Sequence, residues 1–198
     1  MSTTDTRNLR FNISLVGVGG QGILLTSDII AMAAMHAGYQ VKKSEIHGMS
    51  QRGGSVISQV RFGPKVHSPI IPDGQSDVLV SFERTEALRW AHLARPGAKI
   101  IVNNMDRIPV SVSSGLQPAA QNVDARLAAY PGLILLDANP LARQAGNIRT
   151  ANIVVMGALS KYVPFEEEHW QAAMQERIPA KLLDVNLRAF TLGRTAIP

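Results

Sequence analysis

The stretch F-N-I-S-L-V-G-V-G-G-Q-G-I-L-L-T, residues 11–26, decides the fold of this 198-residue chain. Its first half, Phe11 to Val18, is a short apolar run that predicts a buried strand. Four glycines stand within residues 17–22, the first of them inside this run. The Leu-, Ile-, Met- and Ala-rich segment from Ile23 to Ala37 predicts an apolar helix capped by Gly38. A second strand is expected from Tyr39 to Lys43. This order predicts a βαβ unit, in which a right-handed crossover makes the two strands parallel.

The sequence after this unit predicts a mixed sheet. The polar, glycine-rich segment Ser44–Gly54 is interpreted as an ordered loop. Alternation over Ser55–Phe62 predicts an antiparallel strand with one wet face, and Val66–Ile71 is expected to return as its hairpin partner. Parallel-type segments then resume, with these predicted bounds: strands Asp77–Phe82, Ala98–Val102 and Gly132–Leu136, and a helix Glu83–Ala94.

The C-terminal third predicts helices. Asn152 is expected to cap a helix that ends at Val163, and acidic residues open a second helix over Glu166–Ile178. A last helix is expected over Leu182–Leu192, capped by Gly193. The predicted fold is a three-layer α/β/α (Rossmann-like) domain with a mixed, mainly parallel sheet and a helical C-terminal tail. We expect residues 1–10 to form a disordered leader and residues 11–198 a single domain, with the C-terminal helices from about residue 152.

Composition excludes several kinds of site. The chain has no cysteine, so it can hold neither a disulfide nor a Cys-ligated zinc ion or iron–sulfur cluster, and it has no thiol nucleophile. The formal net charge of +5 is spread along the chain with few aromatics, which argues against nucleic-acid binding. The polar N-terminus and the short apolar stretches indicate no targeting segment and no membrane span, so a cytoplasmic protein is expected.

The glycine turn indicates a phosphate site. Gly17, Gly19 and Gly22 match G-x-G-x-x-G between a strand and a helix, and Gly20 adds further backbone freedom. Such a turn lets backbone N–H groups approach a phosphate at the positive end of the helix. The alternative is that the glycines only permit close packing of helix on sheet.

The residues at the end of the second predicted strand do not fit an NAD site. An acidic residue would stand about 20 residues after the glycines, whereas this chain has Lys42 and Lys43 there. The two lysines suit a phosphorylated ribose, as in NADP or coenzyme A, or they are solvated. Ile23 also replaces the lysine of a P-loop.

The segment S-E-I-H-G-M-S-Q-R-G-G, residues 44–54, gathers hydrogen-bonding side chains on a glycine-rich backbone. Such a composition is typical of functional loops. Arg52 offers a planar fork for a carboxylate or a phosphate. The alternative is a surface loop with an ordinary Arg–Glu pair. No histidine spacing or paired-carboxylate motif indicates a metal site, so none is predicted.

Two strings together resemble a known family. G-V-G-G-Q-G-I at residues 17–23 and S-E-I-H-G-M-S-Q-R-G-G-S-V at residues 44–56 are similar to the gamma-type domain of the 2-oxoacid:ferredoxin oxidoreductases. Within that family, the second string is most similar to the beta subunit of indolepyruvate ferredoxin oxidoreductase. D-V-L-V-S-F-E at residues 77–83 and N-I-V-V-M-G-A-L-S at residues 152–160 extend the resemblance over nearly the whole chain.

The resemblance implies a subunit that is inactive alone. Enzymes of this family oxidatively decarboxylate 2-oxoacids to acyl-coenzyme A and reduce ferredoxin. Thiamine diphosphate, Mg²⁺ and the 4Fe-4S clusters are expected on a larger partner subunit, with coenzyme A as co-substrate and an aryl pyruvate such as indolepyruvate as substrate. The absence of cysteine and of a G-D-G…N thiamine diphosphate pattern agrees with this division.

The resemblance also suggests which residues face the ligands. The predicted ligand- or partner-facing turn consists of Gly17, Gly19, Gly20, Gln21 and Gly22, with Lys42 and Lys43 as further coenzyme-binding candidates. The candidates on the loop nearest the shared active site are Glu45, His47, Gln51 and Arg52. Two other functions remain open at this point: a stand-alone NADP-binding oxidoreductase, and a non-catalytic nucleotide- or coenzyme A-binding module.

Overall fold

A six-stranded sheet lies at the centre of the structure, a computed structural model that describes residues 10–47, 54–107, 112, 114–115, 118 and 120–197. The strands are β1 (Phe11–Val18), β2 (Gln40–His47), β3 (Ser55–Gly63), β4 (Ser76–Ser81), β5 (Ala94–Asn103) and β6 (Leu133–Leu136). The helices are α1 (Ile23–His36), α2 (Arg84–Trp90), α3 (Val123–Ala128), α4 (Ala138–Ala145), α5 (Ala151–Leu159), α6 (Glu167–Arg177) and α7 (Ala180–Thr195).

The strand order is β2-β3-β1-β4-β5-β6. Strands β1, β4, β5 and β6 pair in parallel, whereas β3 is antiparallel to both of its neighbours. Strands β1 and β2 therefore run in the same direction, as predicted, but β3 lies between them. The predicted mixed, mainly parallel sheet is confirmed.

Helices cover both faces of the sheet. On one face, α1 and α4–α7 pack their buried apolar side chains on β1 residues such as Ile13 and Leu15. On the other face, α2 and α3 pack on a smaller cluster that includes Val16 and Leu79. The three-layer α/β/α architecture with a helical C-terminal segment is thus confirmed.

The predicted boundary between the second strand and the following loop is wrong. Strand β2 continues through Ser44 and Glu45 to His47, because each residue from Gln40 to His47 pairs with β3. The polar composition that suggested a loop here reflects an edge strand, which tolerates charged side chains. Residues 48–53, the rest of the predicted loop, lie outside the described residues.

The predicted wet face of β3 is also wrong. Ile57 and Gln59 are both buried, at 7% and 5% exposure. The segment Val66–Ile71 covers this face as an irregular chain and not as a hairpin strand. The Gln59 side chain supplies the hydrogen bonds that a neighbouring strand would otherwise make with Ile71. It accepts from the Ile71 N–H (3.0 Å) and donates to the Ile71 carbonyl (3.2 Å).

Neither of the two helix caps predicted in the C-terminal third, Asn152 and Gly193, lies at a helix end. Helix α5 begins at Ala151, so Asn152 lies inside its first turn, and Gly193 lies inside α7. An added Cβ at Gly193 would lie 1.9 Å from the Val154 carbonyl oxygen, and one at Gly157 would lie 2.1 Å from that of Phe190. Both glycines therefore permit close contact between α5 and α7. Helices α3 and α4 were not predicted.

An ion-pair network joins α1 to β2 and α6. Asp28 of α1 accepts from the Lys43 ammonium and from the Arg177 guanidinium (2.9 Å), and Lys43 also pairs with Glu45. Burial would raise the pKa of the Asp28 carboxyl, but its bonds to Lys43 and Arg177 outweigh burial and lower it. Asp28 therefore stabilises the folded state above its unfolded pKa, and this contribution is lost as the pH falls through its folded pKa.

We expect Asp28→Asn to lower the free energy of unfolding at pH 7 by about 1–2 kcal/mol, because partly exposed charged pairs contribute less than buried ones. Urea unfolding of the purified chain at pH 7 and at a series of pH values below 3.8, the ordinary pKa of this carboxyl, should show a difference that shrinks as the pH falls. Asp184→Asn serves as the control, since Asp184 is exposed on α7. A deficit for the Asp28 variant that does not shrink in acid would contradict the ionic origin of the effect.

Within the described part of the chain, no helix is both long and apolar enough to cross a membrane.

Candidate functional site

The candidate site lies at the carboxyl ends of the parallel strands. From β1 the chain passes through α1 on one face toward β2, and from β4 it passes through α2 on the other face toward β5. The connections thus diverge between β1 and β4. In open α/β sheets, ligands bind in the crevice that such a divergence leaves.

The glycine turn between β1 and α1 forms one wall of this crevice. Gly20 and Gly22 have positive φ angles of 96° and 81°, a conformation that L-residues with side chains rarely adopt. The Gln21 side chain holds the turn on the sheet, since its Oε1 accepts from the Val18 N–H (2.7 Å) and its Nε2 donates to the Phe82 carbonyl (3.2 Å). Open space adjoins Gly20, because an added Cβ there would have no neighbour within 4 Å.

The structure brings the two sequence motifs together. The Gly19 N–H donates to the Gly54 carbonyl at 2.9 Å, which joins the glycine turn to the residue that precedes β3. The candidates Gln51 and Arg52 lie outside the described residues. The His47 backbone pairs with Val56 at the end of β2, and Glu45 lies two residues earlier on the same strand.

A cavity of about 390 Å³ opens beside the glycine turn. The predicted residues that line it are Gly20, Gln21 and Gly22. Its other lining residues include Leu25, Phe82, Asn103, Met105, Arg107, Asn139, Arg149 and Asn152. A second cavity of about 290 Å³ shares Leu25, Arg149 and Asn152 with the first.

The cavity carries positive charge. Arg107 and Arg149 both line it, and neither guanidinium forms an ion pair with another residue in the described ranges. Guanidinium groups bind carboxylates and phosphates through two parallel hydrogen bonds. Together with the glycine turn, they make this cavity suitable for an anionic ligand that also has an apolar part.

Asn152 ties the start of α5 to the glycine turn. Its Nδ2 lies 3.4 Å from the Gly22 carbonyl and 3.3 Å from the Thr26 hydroxyl, and the side chain is buried. An added Cβ at Gly22 would lie 2.6 Å from the same Nδ2. Helix α5 therefore packs directly on the glycine turn beside the cavity.

The two predicted lysines do not line either cavity. Lys42 is exposed on β2. The Lys43 ammonium binds Asp28 and Glu45; burial acts to lower the pKa of this ammonium, and the two carboxylates outweigh burial and raise it. A role of these lysines in coenzyme binding stays a prediction.

Five of the lining residues that were missed in the sequence are Asn103, Met105, Arg107, Asn139 and Arg149. Four of them end a parallel strand or follow one closely: Asn103 ends β5, Met105 and Arg107 follow it, and Asn139 follows β6. The rule that ligands bind at the carboxyl ends of parallel strands could have indicated these four. Arg149 lies in the turn before α5, and its sequence carries no comparable signal.

Among the residues described, no group of three or more His, Asp or Glu side chains could hold a metal ion.

Comparison with known proteins identifies the class. The family model for pyruvate ferredoxin/flavodoxin oxidoreductase matches residues 12–196. The chain is 43% identical to the indolepyruvate oxidoreductase subunit IorB of Thermococcus kodakarensis, over 92% of this chain and 94% of that protein. It is also 43% identical to the corresponding subunit of Archaeoglobus fulgidus, over 93% and 94%.

Solved structures share the fold. The gamma subunit of a keto/oxoacid ferredoxin oxidoreductase from Geobacter sulfurreducens superposes with a TM-score of 0.70 at 23% identity, over 94% of this chain and 97% of that one. A 2-oxoglutarate:ferredoxin oxidoreductase from Magnetococcus marinus, solved with 2-oxoglutarate, coenzyme A and succinyl-CoA, superposes with a TM-score of 0.71 at 20% identity, over 94% of this chain and 31% of that one.

The chain belongs to the pyruvate ferredoxin/flavodoxin oxidoreductase family. The predicted resemblance is therefore confirmed, and with it the prediction of a subunit of a heteromeric, ferredoxin-dependent 2-oxoacid oxidoreductase.

Proposed function

We propose that the chain is the small subunit of an indolepyruvate or other aryl pyruvate:ferredoxin oxidoreductase, and that its glycine-turn cavity binds coenzyme A through a phosphate group. The reaction converts a 2-oxoacid and coenzyme A into acyl-coenzyme A and CO₂. The C–C bond to the carboxylate breaks and a thioester bond forms. One proton is released, and two electrons reduce two ferredoxins if each accepts one.

The substrate class rests on the relatives. The indolepyruvate oxidoreductase subunits are 39–43% identical to this chain over 92–93% of its length. Relatives named for ketoisovalerate and 2-oxoglutarate are only 23–28% identical. This chain has no cysteine to hold an iron–sulfur cluster for electron transfer, and its sequence lacks the G-D-G…N pattern expected of a thiamine diphosphate site for decarboxylation. We therefore assign thiamine diphosphate, Mg²⁺ and the clusters to the larger partner subunit, which also donates electrons to ferredoxin.

The observation that supports the coenzyme A site is the charge of the cavity. Arg107 and Arg149 line it from two separate segments, one after β5 and the other before α5. Backbone N–H groups at a glycine turn favour a phosphate, and the two guanidinium groups add charge-assisted bonds. The solved oxidoreductase with bound coenzyme A has a domain of the same fold, which supports this choice of ligand. An anion-binding role of Arg52 stays a prediction.

We expect Arg149→Ala to raise the Michaelis constant for coenzyme A about tenfold or more, because a hydrogen bond to a charged group contributes roughly 1.5–3 kcal/mol. The Michaelis constant for the 2-oxoacid should change less than twofold. Both constants are measured by viologen reduction in the complex assembled from this chain and its larger subunit, with indolepyruvate, phenylpyruvate and pyruvate compared.

Arg143→Ala is the matched control, since Arg143 is exposed on α4 and lines neither cavity. An equal change for the two variants would refute the proposed site. Should the 2-oxoacid constant rise in place of the coenzyme A constant, the cavity holds the substrate carboxylate.

A further inference from the structure

Arg84 joins three segments near the carboxyl end of the sheet. It begins helix α2, and its guanidinium binds the carboxylates of Asp106, which follows β5, and of Asp124, in the first turn of α3. Its Nε (2.8 Å) and Nη2 both donate to Asp106, whereas Nη1 donates to Asp124 at 2.8 Å. A single exposed ion pair contributes little to stability, but a two-pronged pair within a network holds a defined geometry. The guanidinium therefore fixes Asp106 against the start of α2.

Backbone bonds hold the residue before Asp106 in the same place. The Arg84 N–H donates to the Met105 carbonyl at 3.0 Å, and the Met105 N–H donates to the Asn103 carbonyl at 2.7 Å. The chain after β5 thus makes a tight three-residue turn and meets α2 through two groups of Arg84, its backbone N–H and its side chain.

The residues on both sides of Asp106 line the glycine-turn cavity. Met105 and Arg107 are lining residues, whereas Asp106 and Arg84 are not. Asp106 thus carries the contact with α2, and its two neighbours border the crevice. Because the three residues share one backbone, a displacement of Asp106 would move both neighbours, and small displacements of binding groups weaken a site.

We infer that Arg84 is a positioning residue for this cavity, whose bonds to Met105 and Asp106 set the place of Arg107 beside the anionic ligand. The inference rests on the proposed function of the cavity. Since Arg84 does not itself line the cavity, its effect on binding passes through residues 105–107. Its contribution to the binding of an anionic group must therefore disappear when the Arg107 guanidinium is removed.

The ion pair between Arg95 and Asp77 is a matched control. It also joins β4 to β5, with 2.7 Å between the Arg95 Nε and the Asp77 Oδ1. It lies at the amino ends of these parallel strands, however, and neither residue lines the cavity. Arg84→Ala and Arg95→Ala each remove an arginine–carboxylate contact, but only the first removes a support of residues 105–107.

Asp124 provides a second control, inside the network itself. It binds the same guanidinium as Asp106, but it belongs to α3, none of whose residues lines the cavity. Asp106→Ala should therefore reproduce the effect of Arg84→Ala on the cavity, and Asp124→Ala should not.

Hydrogen exchange measured by mass spectrometry on the assembled complex tests the structural part. We expect Arg84→Ala and Asp106→Ala to speed exchange in a peptide over residues 103–107 about fivefold, which corresponds to roughly 1 kcal/mol, the upper end of the range for exposed charge pairs. Arg95→Ala and Asp124→Ala should leave exchange in this peptide within about twofold of the native rate.

Kinetics in the same complex test the functional part. Arg84→Ala should raise the Michaelis constant for coenzyme A about fivefold with kcat within twofold, and it should add less than twofold in an Arg107→Ala background. An equal rise for Arg95→Ala, an undiminished rise in the Arg107→Ala background, or unchanged exchange over residues 103–107 would overturn the role of Arg84. An unchanged constant for Arg107→Ala alone would instead overturn the coenzyme A assignment, while the exchange pattern still decides whether Arg84 holds this segment.

Discussion

Replacing Gly193 with alanine is expected to lower the free energy of unfolding by about 3 kcal/mol or more. In an isolated helix the same change would stabilise by about 1 kcal/mol. Here the new Cβ would lie 1.9 Å from the Val154 carbonyl oxygen, so α7 must move away from α5. Because α5 is buried from Asn152 to Leu159, its packing against the sheet would also be disturbed, and overpacking of this kind is among the most damaging single changes.

Urea unfolding of the purified variant, followed by circular dichroism, measures the loss. Thr191→Ala is the control, since Thr191 is exposed on the same helix two residues earlier and should change stability by less than about 1 kcal/mol. If Gly193→Ala proved as stable as the native chain, the close crossing of α5 and α7 would be incorrect.

Replacing Gly22 with alanine is expected to cost about 2–4 kcal/mol in stability and to weaken coenzyme A binding as well. The left-handed φ of 81° costs a residue with a Cβ roughly 1–2 kcal/mol. The remainder arises because the Cβ would lie 2.6 Å from the Asn152 amide, which must leave its contacts with Gly22 and Thr26. Gly22 and Asn152 both line the cavity, so the substitution should lower the affinity for the ligand as well as the stability.

A double-mutant cycle separates the two causes. In an Asn152→Ala background the steric part is relieved, so Gly22→Ala should cost only the backbone part. Gly20→Ala is the matched comparison, because its φ is also positive but open space adjoins it. Equal losses at the two glycines, or a Gly22 cost that is independent of Asn152, would disprove the packing contact.

The strands and helices with strong periodicity could be predicted from the sequence. The β1 bounds, Phe11–Val18, agree with the prediction at both ends, because a continuous apolar run bounded by glycines is compatible with little else. Errors arose where tertiary contacts override local signals. Ser44 and Glu45 are polar, yet pairing with β3 makes them strand. Glycine is the residue typical of a helix C-cap, but Gly193 lies inside α7, where the close approach of α5 leaves no room for a side chain.

The site was predicted in part, for the same reason. The glycine turn is local in sequence, so its place beside the cavity could be anticipated from the strand and helix that flank it. Arg107 and Arg149 come from distant segments, and only the order of the strands brings them to one crevice. The place of Lys43 at the end of the second predicted strand indicates a coenzyme contact, but the sequence spacing could not show that Lys43 pairs with Asp28 of α1.

The hydrogen bond from Gly19 to Gly54 has a consequence for exchanging parts between relatives. It joins the glycine turn to the segment that precedes β3, although the two are far apart in the sequence. An insertion in either one would therefore displace the other from its place beside the crevice. Chimeras that receive the segment before β3 without the matching glycine turn should therefore assemble poorly with the larger subunit. Chimeras that receive both segments from one donor should keep that donor's preference among 2-oxoacids.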